Sequence, residues 1–121
     1  MAAKIVLVVE DDMINRRLIK KILQPLQCTV IEAENAEDGI KLAEEQRPDL
    51  ILMDIVMPGM DGWTAAAILK ENLALRDIPL YALSGYSADE LEKKVKETGC
   101  TGFITKPFNI QTFREIVSQH L

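Results

Sequence analysis

The sequence has few of the side chains from which most metal and nucleophile centres are built. It holds one histidine, His120, and two cysteines, Cys28 and Cys100. The cysteines stand far apart without metal-ligand spacing, so two buried or partly buried thiols are expected. His120 lies at the extreme C-terminus, where a solvated tail is expected, and no zinc site is indicated. Long apolar runs are missing too: none approaches the roughly 18 residues of a membrane span. The run Ile5–Val9 is too short for a signal peptide and is stopped by Glu10-Asp11-Asp12, so a cytoplasmic location is expected. Positive charge is in deficit, with a formal net charge of −5, which disfavours non-specific contact with nucleic-acid phosphates. The 121 residues show no linker, repeat or low-complexity tract, and suffice for one domain with a core that needs no covalent staples. With 48% hydrophobic and 27% charged residues, the balance is that of an ordinary soluble globular protein.

What the sequence does have is a set of short apolar runs, each ending on polar residues. Leu50-Ile51-Leu52-Met53 ends on Asp54 and breaks into Pro58-Gly59; such a run reads as a strand buried on both faces of a parallel sheet. A carboxylate there is either a turn or helix-cap residue or part of a site, because an unpaired buried charge is costly. Residues 4–9 form a second run, ending in Glu10, Asp11 and Asp12. Ile14, Leu18 and Ile22 then fall four apart with Arg16, Arg17, Lys20 and Lys21 between them. That spacing predicts an amphipathic helix with a basic outer face, closing near Pro25. Residues 28–33 read as a strand, and Asn35 as the N-cap of a helix over Ala36–Gln46 with Asp38 in its first turn.

Beyond Gly62, residues 63–71 read as a helix, and residues 78–83 as a strand with its proline at the start, followed by Ser84-Gly85. Ser87-Ala88-Asp89-Glu90 fits a capping box opening a helix with Leu91 and Val95 on one face and Gly99 past its end. Residues 102–105 form the last strand, ending at Lys106-Pro107, and Ile110, Phe113, Ile116 and Val117 make the inner stripe of a closing helix. Strands alternating with helices imply an α/β fold with a parallel sheet, right-handed crossovers and helices on both faces.

Ligands of open α/β sheets bind at the carboxyl ends of the strands. There the first strand delivers Glu10 and Asp11, the third Asp54, the fourth Ser84 and the fifth Lys106. Three acids, a hydroxyl and an amine converging on one edge point to a site rather than to isolated caps. Carboxylates held together raise one another's pKa unless a cation neutralises them, and all-oxygen ligation suits Mg²⁺. A divalent ion beside Asp54, one lysine and one hydroxyl would stabilise phosphoryl transfer, with a carboxylate as nucleophile and an aspartyl phosphate as product.

Val9-Glu10-Asp11-Asp12 with Asn15, Met53-Asp54 with Met57-Pro58-Gly59-Met60-Asp61-Gly62, Ser84-Gly85 and Lys106-Pro107-Phe108 are similar to the motifs of a response regulator receiver domain, the CheY-like superfamily of two-component signalling. The resemblance covers residues 1–121 as one receiver domain with no output domain. It implies a flavodoxin-like, doubly wound (βα)5 fold whose parallel five-stranded sheet has the order 2-1-3-4-5. It implies that Asp54 is the phosphoacceptor, that Asp11 ligates Mg²⁺ directly and Glu10 through water, and that the Val56 backbone carbonyl is a further ligand; Mn²⁺ could substitute. Ser84 would hydrogen-bond a phosphoryl oxygen, Lys106 would pair with the phosphoryl group, and the Lys106-Pro107 bond would be cis. In the implied switch Ser84 moves toward the phosphoryl group, Phe103 turns from exposed to buried, and the surface of the fourth helix, fifth strand and fifth helix changes. The implied partners are a histidine kinase or phosphotransfer protein as donor and a downstream protein target at that surface, without nucleic-acid contact or membrane insertion. The only reactions implied are the chain's own phosphorylation and dephosphorylation.

Some positions depart from the commonest family pattern. Glu10 stands where aspartate is more usual, Phe103 lacks a tyrosine hydroxyl, and Gly85 replaces a commoner alanine, which loosens the loop. Val56 and Tyr86 beside the site predict slow loss of the phosphoryl group. Rival readings fit less well. A haloacid-dehalogenase-like phosphatase needs an acid where Val56 stands, and an FMN binder needs a phosphate loop where Glu10-Asp11-Asp12 would repel one. A degenerate receiver serving as a constitutive interaction module is argued against by the intact Glu10, Asp11, Asp54, Ser84 and Lys106. A natural single-domain regulator is preferred over a receiver excised from a hybrid histidine kinase or multidomain regulator. The basic first helix is a candidate kinase-docking face, with a solvated charged face as the plain alternative.

Overall fold

The computed structural model describes residues 3–121. Its elements run β1 (Ile5–Val9), α1 (Met13–Leu23), β2 (Thr29–Ala33), α2 (Ala36–Gln46), β3 (Leu50–Asp54), α3 (Gly62–Glu71), β4 (Leu80–Ser84), α4 (Ala88–Thr98), β5 (Gly102–Thr105) and α5 (Ile110–Ser118), with a 3₁₀ turn at Gln24–Leu26 closing α1. The sheet order is β2-β1-β3-β4-β5 with every ladder parallel, as the doubly wound reading expects.

The unbroken apolar runs follow from this layering. Side chains alternate across a strand, so β1 sends Val6 and Val8 to one face and Leu7 and Val9 to the other, and both faces are covered. Val6, Val8, Leu50 and Leu52 pack with Ile19, Ile22 and Leu23 of α1 and Phe113 and Val117 of α5. Leu7, Val9, Ile51 and Met53 pack with Ala36 and Ala43 of α2 and Ala65 and Leu69 of α3. Under α4 a smaller cluster joins Ile55, Ala82 and Leu91, with Trp63 and Phe103 against it.

All five helices begin at the carboxyl edge of the sheet, and each has a capping side chain. Asp12, Asn35, Asp61, Ser87 and Asn109 accept from the amides of Ile14, Asp38, Thr64, Glu90 and Thr112. The strand ends are thereby held as short, ordered turns.

The inner face of α1 differs from the expected one. Ile14 is 75% exposed, Leu18 40% and Ile22 2%. A four-residue step overshoots a helical turn by about 40°, so the series Ile14, Leu18, Ile22 winds from solvent into the core. The face against the sheet is Arg16, Ile19, Ile22 and Leu23, so Arg16 is not part of a basic outer face. In α5, Phe113 and Val117 are buried while Ile110 is exposed, because three residues fall about 60° short of a turn. His120 is no solvated tail. After α5 the chain folds back, its amide reaching the Val117 carbonyl at 3.0 Å, and its Nε2 lies 2.8 Å from the Tyr81 hydroxyl. The two rings meet edge to face at 5.3 Å. Cys28 is half-buried and Cys100 buried, both free thiols as expected. Among the described residues no helix is long and apolar enough to cross a membrane.

Candidate functional site

The parallel register brings the strand ends of β1, β3, β4 and β5 to one edge. Val9 pairs with Met53, Asp54 with Leu83 and Ser84 with Thr105. Glu10, Asp11 and Asp54 each offer one carboxylate oxygen to a group lying within 4.8 Å of one another. Glu10 and Asp54 are buried, Asp11 exposed.

Lys106 reaches across this group from the end of β5. Its amide donates to the Ser84 carbonyl at 2.8 Å, and the Lys106-Pro107 peptide bond is cis. Its Nζ lies 3.2 Å from Glu10 Oε2 and 3.2 Å from Asp54 Oδ2. Glu10 Oε1 accepts from the Asp12 amide and from Asn15 Nδ2, each at 3.3 Å. Asp54 Oδ1 accepts from the Val56 amide at 3.1 Å, which ties the acid to the turn carrying Val56.

Ser84 is buried, and its Oγ accepts from the Tyr86 amide at 3.0 Å, so its hydroxyl is tied to its own loop. Val56 and Tyr86 are both exposed. Phe103 sits between the exposed and buried extremes of the expected switch, opposite Ala82 in the β4–β5 ladder and against the Ile55–Ala82–Leu91 cluster. Of the residues singled out from sequence, Lys106 meets Glu10 and Asp54 directly, and Asp11 offers an oxygen within 4.8 Å of both acids. Ser84 stands at the neighbouring strand end, and Phe103 packs below the edge.

Two residues named in the sequence for other reasons, Arg16 in a basic helix face and Gly62 in a motif, have a structural part here that those readings do not show. Arg16 lies under the acidic loop, its Nη1 donating to the carbonyls of Glu10 at 2.8 Å and Asp11 at 3.2 Å. The signal was the helical period, which puts position 16 in line with Ile19 and Leu23. Gly62 opens α3 so close to β3 that an added Cβ would stand 2.4 Å from the Asp54 carbonyl oxygen. No sequence pattern shows that contact.

The electrostatics are those of a site short of positive charge. Burial pushes the Glu10 carboxyl above its ordinary value and the charge of Asp54 adds to this, while Lys106 and Asn15 oppose it. Burial works against the Lys106 ammonium, but the charges of Asp54 and Glu10 outweigh it and raise its pKa. Three carboxylates face one ammonium, and the surplus negative charge and all-oxygen donor set fit a hard divalent cation. A carboxyl raised in the folded state binds its proton more tightly there than in the unfolded chain. Its contribution to stability is therefore present at low pH and lost as pH rises through the raised value. The metal-free protein is expected to gain stability as pH falls from neutrality toward the ordinary glutamate range, and Glu10→Gln to flatten that slope. Chemical denaturation across pH checks both.

Such a fold and edge define a small α/β domain with an acidic, lysine-bearing pocket at the strand ends. The sequence profile of the response regulator receiver domain matches residues 6–118. The polar-differentiation response regulator DivK of Brucella anthropi is 33% identical over 118 residues, covering 98% of this chain and 96% of that protein. Among solved structures, the chemotaxis protein CheY4 of Vibrio cholerae superposes with a TM-score of 0.91 at 27% identity, covering 99% of this chain and 100% of that one. The receiver domain of the sensor histidine kinase PA1611 of Pseudomonas aeruginosa, which carries a magnesium ion in its active-site cleft, superposes with a TM-score of 0.88 at 27% identity over 98% of each chain. The chain belongs to the response regulator receiver domain family of two-component signalling.

Proposed function

We propose that the chain is a switch that takes a phosphoryl group from a donor phosphohistidine onto Asp54 in the presence of Mg²⁺. The observation that carries this reading is the position of Lys106 Nζ, 3.2 Å from both Glu10 and Asp54 across a cluster of three acids. Glu10, Asp11, Asp54 and the Val56 carbonyl would hold the cation. When bound, Mg²⁺, or Mn²⁺ in its place, supplies neutralisation of charge on the transferring phosphoryl oxygens. Asp54 supplies the nucleophile: its carboxylate oxygen forms the new P–O bond while the P–N bond of the donor breaks, and the donor ring, already protonated on its other nitrogen, keeps the bonding pair and leaves as neutral imidazole. Lys106 pairs with a phosphoryl oxygen without moving far, since it already faces Asp54. Ser84 turns its hydroxyl to the phosphoryl group and draws the following loop, at Gly85 and Tyr86, with it. Phe103 then fills the space vacated above Ala82, and the surface of α4, β5 and α5 changes for a downstream protein target.

The donor, a histidine kinase or phosphotransfer protein, is read as docking on α1, where Met13, Ile14 and Leu18 are exposed beside Arg17 and Lys21. Residues 1–121 are read as acting together as one cytoplasmic receiver unit, whose chemistry is confined to its own phosphorylation and dephosphorylation. Val56 and Tyr86 at the rim support slow loss of the phosphoryl group.

Intact-mass measurement after incubation with acetyl phosphate tests the reading. One phosphoryl adduct is expected with Mg²⁺ and none with excess chelator or in Asp54→Asn. An adduct formed equally well with the chelator, or in Asp54→Asn, contradicts it.

A further inference from the structure

Arg16 is the one basic residue of α1 that the fold buries, its side chain only 11% exposed. A buried guanidinium needs partners on every side. On one side Nη1 donates to the carbonyl oxygens of Glu10 and Asp11. On the other, Nε lies 3.7 Å from Glu32 Oε1 on β2, and Nη2 lies 3.5 Å from Glu34 Oε1 in the turn that follows. Lys20 reaches Glu32 as well, at 3.4 Å. Arg16 therefore bolts the loop bearing two of the clustered acids to the edge strand of the sheet.

Two successive carbonyls directed at one guanidinium fix two successive peptide planes. Because each plane is rigid, this fixes the direction in which the Asp11 side chain leaves the backbone, and with the Glu10 amide held by the Ala33 carbonyl at 3.1 Å it fixes that of Glu10 as well. We propose that Arg16 is a positioning residue for the cation site: held by Glu32 and Glu34, it orients the Glu10 and Asp11 backbone so that both carboxylates face Asp54. The proposal rests on the reading of that acidic cluster as a Mg²⁺ site. Groups that orient metal ligands are worth roughly 10–100-fold in metal affinity.

Coulomb's law alone gives a different expectation. Removing a cation from beside a cation site tightens metal binding, and keeping the charge on a different side chain leaves it unchanged. Positioning demands weaker binding in both cases, because one ammonium cannot span two carbonyls and two carboxylates as the planar guanidinium does.

Calorimetric titration with Mg²⁺ of the wild type, Arg16→Gln, Arg16→Lys and Ile22→Val decides between them. Arg16→Gln and Arg16→Lys are expected to bind Mg²⁺ roughly tenfold more weakly. Ile22→Val, which loosens the same helix in the core without touching the loop, is expected to lower stability and leave the affinity within about twofold. Arg16→Lys retains the charge and most of the stem, so it keeps the test open if Arg16→Gln does not fold. Wild-type affinity in Arg16→Lys, or tighter binding in Arg16→Gln, overturns the proposal alone. A wild-type chain that binds no Mg²⁺ overturns the cation site, and this proposal with it.

Discussion

Lys106→Ala is expected to slow phosphorylation by acetyl phosphate at saturating Mg²⁺ by about a hundredfold or more, the usual cost of losing one preorganised charge at a developing anion. The lysine has a place no neighbour can take over. β5 delivers it through the Ser84 carbonyl contact, and its Nζ touches two of the three acids. Its removal affects the metal and the phosphoryl group oppositely. The acids lose the one ammonium that reaches them among the described residues, so the pocket becomes more negative and Mg²⁺ is expected to bind as tightly as in the wild type or more tightly. The transferring oxygens lose their cation, so the rate falls. Lys106→Arg keeps a charge but is longer and forked, and only partial recovery is expected. Calorimetry and intact-mass kinetics measure the two effects separately. Weaker metal binding with an unchanged rate would assign Lys106 a purely structural part.

Gly62→Ala is expected to be the most damaging single-methyl change among the glycines of the site, costing about 3 kcal/mol of stability. An added Cβ meets only backbone: the Asp54 carbonyl oxygen at 2.4 Å, Ile55 Cα at 2.5 Å and the Asp54 carbonyl carbon at 3.0 Å. None of these is a flexible side-chain end, so either the start of α3 or the end of β3 must move. The end of β3 carries Asp54, so the substitution disturbs site and fold together. At a slope of about 1.5 kcal/mol/M, the urea midpoint falls by about 2 M. Two nearby glycines calibrate the measurement. Gly59 has φ +80° but open space around it, so alanine there carries only a backbone cost of about 1 kcal/mol. Gly85 has open space and no positive φ, and alanine there is expected to be nearly neutral. Equal midpoints for Gly62→Ala and Gly85→Ala would show that the α3–β3 approach relaxes freely.

Much of this architecture could be read from sequence because it depends on local pattern. A strand covered on both faces must be apolar at every position, so residues 50–53 could hardly be anything else. Asn35 and Ser87 cap the helices expected of them, since capping needs only the residue and the amides just after it. The convergence of Glu10, Asp11, Asp54, Ser84 and Lys106 follows from the alternation of strands and helices, which puts every strand's carboxyl end at one edge. What escaped depends on rotation or on contacts between distant segments. Counting by fours on α1 puts Ile14 inside and Arg16 outside, whereas the face turned to the sheet is Arg16, Ile19, Ile22 and Leu23. The partners that make Arg16 burial tolerable, Glu32 and Glu34, stand 16 and 18 residues away, on β2 and in the turn after it. His120 looks like a tail in the sequence because its partner, Tyr81, lies 39 residues back on β4.

The central claim is that Asp54 is the side chain that takes the phosphoryl group. It is tested most directly by phosphorylating the chain with acetyl phosphate and Mg²⁺, reducing the acyl phosphate with borohydride and mapping the peptides by mass. Reduction of Asp54 to homoserine, with Glu10, Asp11 and Asp61 unchanged, is the predicted result. A chain that has taken up phosphate yet yields an unreduced Asp54 and a reduced Glu10 or Asp11 would contradict it.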